Sequence, residues 1–488
     1  MKIRPIEDPL PLGILENPPL LTGRLLMTSA VSTLAGGFHF GYLISAVNPL
    51  AAILQEFIVD NLRIRYSLTL TASQIGLIWS TLVGSLFIGA MIGAYLSISL
   101  IPSIGPRKTL LLSSILLLGS APLFGFGYVF DLAELLPISR VVSGVAFAIG
   151  LSAQGVFLTE ISPAQYRGAA NTLTTLIGNF AFLLAAVLGT PYLLGTPTSW
   201  HFIFFLETIP SFLHILINCL YFHDSPNYLL SIGKSVAAEA SLKAYYGKSC
   251  HVKRILEDLR NRDSEVKREK TLREMLRDGS CVQALSLSVA INFSVAFSGI
   301  VAISLFGTFL LQTVGFSPEG SAVANSLCSI SSIISALLAT VAFDKIGRRP
   351  LLIGSLLSLS LINILMMSLV FFFDSTKNAD LAWPFLAFFV LFNFVFSIGI
   401  GPAAIFIGAE LAPPGTISKM QSYSTSVQFI GSFICPIIYM SLVESIGGFS
   451  FLLFIVPLTI TAAYFYMYLP ETKGKTSSEI NELLRNRK

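Results

Sequence analysis

An all-α membrane protein of twelve transmembrane helices in two six-helix halves is the fold class this sequence predicts. Three observations carry that expectation: an apolar content too large for a water-soluble core, membrane-length apolar windows along the chain, and one charge-rich gap dividing those windows six and six. Only 12% of the 488 residues are charged, while 53% are hydrophobic and 38 are Phe; soluble domains carry roughly a quarter charged residues. Mean hydropathy is +0.75. No single soluble domain has the interior to bury that surface, and a bilayer accepts it on the helix exteriors. Disordered chains are apolar-poor and charge-rich, so disorder is excluded. A net charge of +4, spread along the chain, offers no basic patch for nucleic acid.

The apolar windows, each long enough to cross the hydrocarbon core, fall at 25–50, 73–100, 109–130, 136–158, 168–193 and 201–222. They resume at 284–313, 320–343, 350–373, 382–411, 421–443 and 449–468. We call them segments one to twelve. The implied organisation is an N-terminal stretch over 1–23, a first half over 24–222, a loop with short helices over 223–283, a second half over 284–468, and a tail over 469–488. Lys2 and Arg4 give a basic start, but no signal-type apolar run follows them, so segment one is expected to stay as an anchor. Cys219, Cys250, Cys281, Cys328 and Cys435 form no close pair or Cys/His cluster. No metal or cofactor is expected.

Orientation follows from the cations. The stretch His223–Ser280 holds 12 Lys/Arg and 9 Asp/Glu. With that loop cytoplasmic, the same face receives Arg107, Lys108, Arg167, Lys345, Arg348, Arg349 and the basic tail, leaving Arg63, Arg65 and Lys377 outside. Both termini are then cytoplasmic. Within the loop, Ala237–Leu242, Val252–Leu259 and Thr271–Leu276 have helical apolar spacing. Lipid is the expected surrounding and no obligate protein partner is implied.

Segments two and three are joined by Ile104-Gly105-Pro106-Arg107-Lys108, and segments eight and nine by Asp344-Lys345-Ile346-Gly347-Arg348-Arg349-Pro350. A basic glycine turn at the same place in each half is an internal repeat. Further motifs stand in order: Phe40-Gly41-Tyr42 with Asn48, Trp79-Ser80, Met91-Ile92-Gly93, Arg140, Glu160-Ile161-Ser162-Pro163 with Arg167-Gly168, Asp224-Ser225-Pro226-Asn227-Tyr228, Gly401-Pro402, Ala409-Glu410-Leu411 and Pro470-Glu471-Thr472-Lys473-Gly474. From about Arg24 to Gly474 the chain resembles the major facilitator superfamily, and within it the sugar-porter group that includes the facilitative glucose transporters of solute carrier family 2.

That resemblance implies a carrier of a small neutral solute, a hexose or a relative of one, working by alternating access in the plasma membrane. It also implies a cytoplasmic charge network of Arg107, Lys108, Arg140, Glu160, Arg167, Asp344, Arg348, Arg349, Glu410 and Glu471. Arginine forks bind carboxylates bidentately, and such contacts can form in one access state and break in the other. The first-half turn departs from the family pattern at Pro102 and Pro106, and the box after segment six at Asp224 and Asn227.

The solute site departs further. Where glucose transporters carry two Gln and an Asn on segment seven, this chain has Val295, Ala296 and Val301, with Ser298-Gly299 retained. The remaining candidate cavity set is His39, Thr175, Asn292, Ser298, Ser332 and Gln428, each of which can equally serve a helix–helix hydrogen bond. Several lost hydrogen bonds at about 1 kcal/mol each predict poor D-glucose transport. The coupling acid of proton-driven relatives falls at Leu43, so facilitated diffusion is expected, with His39 and Glu207 left as titratable alternatives; Glu207 is expected within reach of the outer interface. A non-transporting sensor with a carrier fold is the other reading. The chain lacks His-Glu-x-x-His, a Gly-x-Ser-x-Gly elbow and a phosphate-binding glycine loop, and enzymatic activity is not expected.

Overall fold

The structure is a computed structural model that describes residues 22–163, 167–247, 252, 255–257, 259, 272–413, 416–473, 475 and 477–486. Among these the regular structure is helical throughout. Nine helical stretches among the described residues are long and apolar enough to cross a membrane by length and composition. One of them, Lys419–Tyr468, contains two helices, Ile417–Ile446 continuing beyond its start and Leu452–Tyr468. Segment five is the helix Arg167–Leu188, whose part Leu173–Leu188 is apolar. Segment one is interrupted, with Gly23–Ser32 and Gly37–Ser45 separated by a 3-10 turn at Thr33–Ala35.

Three other segments break, each at an identifiable residue. Segment six divides into His201–Leu206 and Thr208–Tyr221. Pro210 lacks the N–H that would reach the Leu206 carbonyl four residues back, so the break falls at Glu207. Segment seven divides into Gly279–Ala296 and Ile300–Thr313 around Gly299, whose φ of 103° is a left-handed conformation that side chains disfavour. Segment ten divides into Ala382–Ile398 and Ile400–Leu411 at Gly399.

Packing repeats between the halves. In the first, segment two packs on four, one on five, and three on six; in the second, eight packs on ten, seven on eleven, and nine on twelve. The halves meet through two on eleven and five on eight, and advancing either pair by six positions in the twelve-segment ring generates the other. Both repeated turns share one backbone device: Gly105 (φ 86°) and Gly347 (φ 99°) each adopt positive φ between two long helices.

Below segment six lie helices Pro226–Ser231 and Ser235–Tyr246, and before segment seven lies Leu272–Arg277. Two of these overlap expected loop helices; the first has no counterpart among them. Of the expected 252–259 helix, residues 252, 255–257 and 259 are described and are helical. The tail carries an unexpected helix, Ser477–Asn486, whose Ile480 and Leu484 are buried where it meets segments seven and ten.

Candidate functional site

The cytoplasmic network is best built from its second half. Segment nine starts immediately after Gly347, so its first backbone N–H groups have no intrahelical acceptor. Glu471 fills that role: its two carboxylate oxygens each accept from one of Arg348 N and Arg349 N at 3.0 Å, and Oε1 also accepts from Lys473 N at 2.9 Å. Burial alone would raise the Glu471 carboxyl, but backbone N–H bonds from Lys473, Arg348, Arg349 and Thr472 together hold it below the usual carboxylate range. Thr472 Oγ1 donates to Glu410 Oε2 at 2.5 Å, and Arg348 reaches Glu410 Oε1 at 3.5 Å. Arg349 Nη2 donates to the Tyr466 carbonyl at 2.7 Å, and Lys473 Nζ to the Lys345 carbonyl at 3.1 Å. Turn, segment ten and tail are thus joined through one carboxylate on each of the last two.

The first half repeats this plan with parts missing. Ser225 donates to Glu160 as Thr472 does to Glu410. Asp224 stands where Glu471 does, yet its Oδ1 is buried with no partner among the described residues. Pro106 explains the loss, because it occupies the Arg348 position and has no N–H to donate. The turn is instead covered by Tyr228, whose hydroxyl donates to the Ser103 carbonyl at 3.2 Å. Arg107 binds no carboxylate among the described residues: its guanidinium donates to Asn218 Oδ1 at 3.2 Å and to the Asn218 carbonyl at 2.9 Å, tying the turn to the end of segment six. Lys108 is exposed. The side chains of Arg167 and Asp344 lie outside the described set.

Arg140 requires a correction. It sits in the second turn of segment four, at the end opposite Glu160, which places it about 30 Å from the cytoplasmic network at 1.5 Å per residue. It is fully buried and donates to the carbonyls of Leu43 at 2.6 Å and Val83 at 3.1 Å. It fastens segments one, two and four together and takes no part in the latch.

His39 requires another. Its Nδ1 lies 3.0 Å from Glu207 Oε1 and its Nε2 2.9 Å from Ser211 Oγ, and neither the His39 nor the Glu207 side chain has exposed surface. The ring is therefore held against segment six inside the first half, where both nitrogens are occupied, and does not line a cavity between halves. Glu207 does not reach the outer interface: the break in segment six aims it inward, within the electrostatic reach of Arg140. His214 is likewise internal, with Nδ1 2.7 Å from Ser114 Oγ.

Of the other candidate cavity residues, Asn292 is buried and donates to the Ser288 carbonyl at 2.8 Å. Ser298 Oγ donates to the Val295 carbonyl at 2.9 Å and accepts from Ile300 N at 3.2 Å, so its hydroxyl caps the break in segment seven. Asn363 Nδ2 adds a bond to the Ser298 carbonyl at 3.1 Å. Ser332 offers its carbonyl to Asn179 across the halves at 3.1 Å. Thr175 and Gln428 are half-buried. Phe429, next to Gln428, stacks on Phe87 and meets the edge of Phe147, so an aromatic layer joins segments eleven, two and four.

One important residue was absent from the candidate set. Asn48, in the turn that ends segment one, donates to the Ser304 carbonyl at 3.0 Å and accepts from Thr308 N at 3.2 Å and Thr308 Oγ1 at 2.9 Å. These bonds clamp the two halves at the end opposite the basic turns. Its place after Phe40-Gly41-Tyr42 in the motif series was the available signal, but its partner lies 260 residues away.

Two repeated helical halves, meeting through two symmetry-related pairs and clamped at one end, define a multi-pass membrane protein of the transporter type. The sugar (and other) transporter family model matches residues 28–484, and the chain belongs to that family. Among its relatives, the mouse solute carrier family 2, facilitated glucose transporter member 7 is 26% identical over 99% of this chain and 93% of its own. The Caenorhabditis elegans facilitated glucose transporter protein 1 is 25% identical over 96% and 92%. The fold matches a partially occluded inward-open structure of the E. coli xylose transporter XylE, with a TM-score of 0.74 and 19% identity over 92% of this chain and 100% of that one.

Proposed function

We propose that this protein carries a small neutral solute, a hexose or a related polyol, across the plasma membrane by alternating access and facilitated diffusion. In this reading it has twelve spans, its halves run over 24–222 and 284–468, and both termini are cytoplasmic. The observation that carries it is the Asn48–Thr308 clamp: it joins the two halves at their outer ends through bonds that a rocking of one half against the other would break and remake. On the opposite face, the charge network ties Gly347, Glu410 and Glu471 within the second half.

The solute preference is set by segment seven, where Val295, Ala296 and Val301 are buried apolar side chains. D-Glucose is expected to be a poor substrate, with a less hydroxylated or larger solute preferred. Uptake into proteoliposomes against a panel of hexoses, pentoses and polyols tests this. Saturable glucose uptake with submillimolar half-saturation would overturn the preference, and the absence of any uptake would favour a sensor. Val295→Gln with Ala296→Gln and Val301→Asn should lower the hexose half-saturation by about fivefold for each hydrogen bond gained.

Proton coupling is a second reading, favoured by the buried His39–Glu207 pair. Coupling needs a group whose proton exchanges differently in the two access states. Both members of this pair belong to the first half, and both imidazole nitrogens are engaged there, so facilitated diffusion remains the stronger reading.

A further inference from the structure

Segments seven, ten and eleven converge around Gly408 in a way that no motif in the sequence announces. A side chain built on Gly408 would bring its Cβ within 2.8 Å of Gln421 Oε1 and 3.3 Å of Ser288 Oγ. Both of those oxygens are buried and have no hydrogen-bond partner among the described residues. Ser288 has no exposed surface at all. Gln421 directs its other amide atom, Nε2, toward Thr425 Oγ1 at 3.4 Å, which leaves the carbonyl oxygen pointing at the glycine. Segments seven and eleven thus bring an unpaired hydroxyl and an unpaired acceptor together against segment ten at Gly408, where the missing Cβ lets both oxygens approach.

Away from water, an unsatisfied polar group is costly, and two together need a visitor that brings its own polar atoms. Gln421 Oε1 only accepts, whereas Ser288 Oγ can both donate and accept. A pair of adjacent hydroxyls matches this set: one donates to Gln421 and its neighbour accepts from Ser288. The position along the helices gives the pair a role. Ser288 lies one turn from Asn292 toward the cytoplasmic start of segment seven, on the same face at a spacing of four. Gln421 lies two turns from Gln428 in the same direction on segment eleven, a spacing of seven that also preserves the face. The pair is a second polar tier, about 6–10 Å nearer the cytoplasm than the first.

We infer that Ser288, Gln421 and Gly408 form a cytoplasm-side subsite that binds adjacent hydroxyls of the solute as it leaves or enters the carrier from within. The inference rests on the carrier reading above. Asn292 links the tiers, since its amide donates to the Ser288 carbonyl. An occupant handed from the upper tier to the lower keeps its hydroxyls bonded while segment ten, broken at Gly399, moves against segment eleven.

Sided kinetics test this. Zero-trans influx and efflux of labelled D-glucose, D-xylose, D-fructose and myo-inositol are measured in oriented proteoliposomes. Ser288→Ala and Gln421→Leu should each raise the half-saturation at the cytoplasmic face about fivefold, the equivalent of one hydrogen bond, and leave the external value within about twofold. Gly408→Ala should do the same, because its Cβ would displace the Gln421 oxygen, and Ser288→Thr, which keeps the hydroxyl, should restore the wild-type value. Should Gln421→Leu fail to fold, Ser288→Ala, which removes a single oxygen, carries the test. Unchanged kinetics, equal changes at both faces, or a higher melting temperature with unchanged kinetics would overturn the subsite while leaving the carrier intact. A wild-type protein that moves none of the four probes would overturn the carrier reading and the subsite with it.

Discussion

Pro106 shows how the loss of one backbone proton redraws a latch. Its counterpart Arg348 donates N–H to Glu471, whereas Asp224, the residue equivalent to Glu471, is left with a buried oxygen that has no partner among the described residues. Pro106→Arg combined with Asp224→Glu supplies both a donor and the longer reach, and should stabilise the cytoplasmic face by about 1.5–3 kcal/mol, the range for a charge-assisted hydrogen bond. A melting temperature in detergent that fails to rise would count against the equivalence of the two boxes. Glu471 itself titrates in a definite direction. Its carboxyl sits below the ordinary value of 4.5, so its contribution is fully present above that value and disappears as pH falls through the lower, folded one. Glu471→Ala at pH 7 should therefore expose the 477–486 helix to protease. The wild type should keep it protected at pH 5 and release it only on stronger acidification. Equal cleavage of the two at pH 7 would show that Glu471 does not hold the tail.

At the scale of elements, the broken helices decide where the polar residues meet. Segment seven needs Gly299 for its positive φ and Ser298 to cap the helix beginning at Ile300. Two residues that look like parts of a solute site therefore hold the bend that brings Ser304 and Thr308 to Asn48. Asn48→Ala removes three bonds between the halves at about 1 kcal/mol each and should shift the carrier toward the outward-open state. A cysteine placed at Val301, two turns below the clamp, would then react several-fold faster with an impermeant maleimide added outside. An unchanged rate would mean that the clamp does not limit outer access. Segment six is the complementary case: the break before Pro210 turns Glu207 inward onto His39, a pairing that a straight helix would not be expected to give.

For the whole molecule, the decisive question is energetics. A His–Glu pair enclosed within one half keeps its partners when the halves rock as rigid bodies, so net flux should follow the solute gradient alone. Equilibration in liposomes with and without an inward proton gradient of one pH unit measures this directly. Accumulation above the outside concentration, abolished by a protonophore and by His39→Gln, would establish proton coupling through this pair. The symmetric interface, with segment two on eleven and five on eight, gives the rocking its axis: each contact pair has an equivalent on the other side.

By itself the sequence determined the membrane class, nearly every segment boundary to within a few residues, and the repeated basic turns. These depend on hydropathy windows and on short motifs whose meaning is local, such as a glycine with positive φ between two long helices. Glu410 and Glu471 were named through the family resemblance of the motifs that hold them, since the turn they contact lies 62 and 123 residues away along the chain. What a polar side chain meets inside a bundle is decided by helix rotation and by neighbours far along the chain, and no window reports either. So only the tertiary structure moved His39 from the cavity to Glu207 and Arg140 from the latch to the carbonyls of Leu43 and Val83. It alone brought Asn48 to Thr308 and set Ser288 and Gln421 together against Gly408. Polar groups in a membrane must find partners within the protein, and which partners they find is a property of the packed helices.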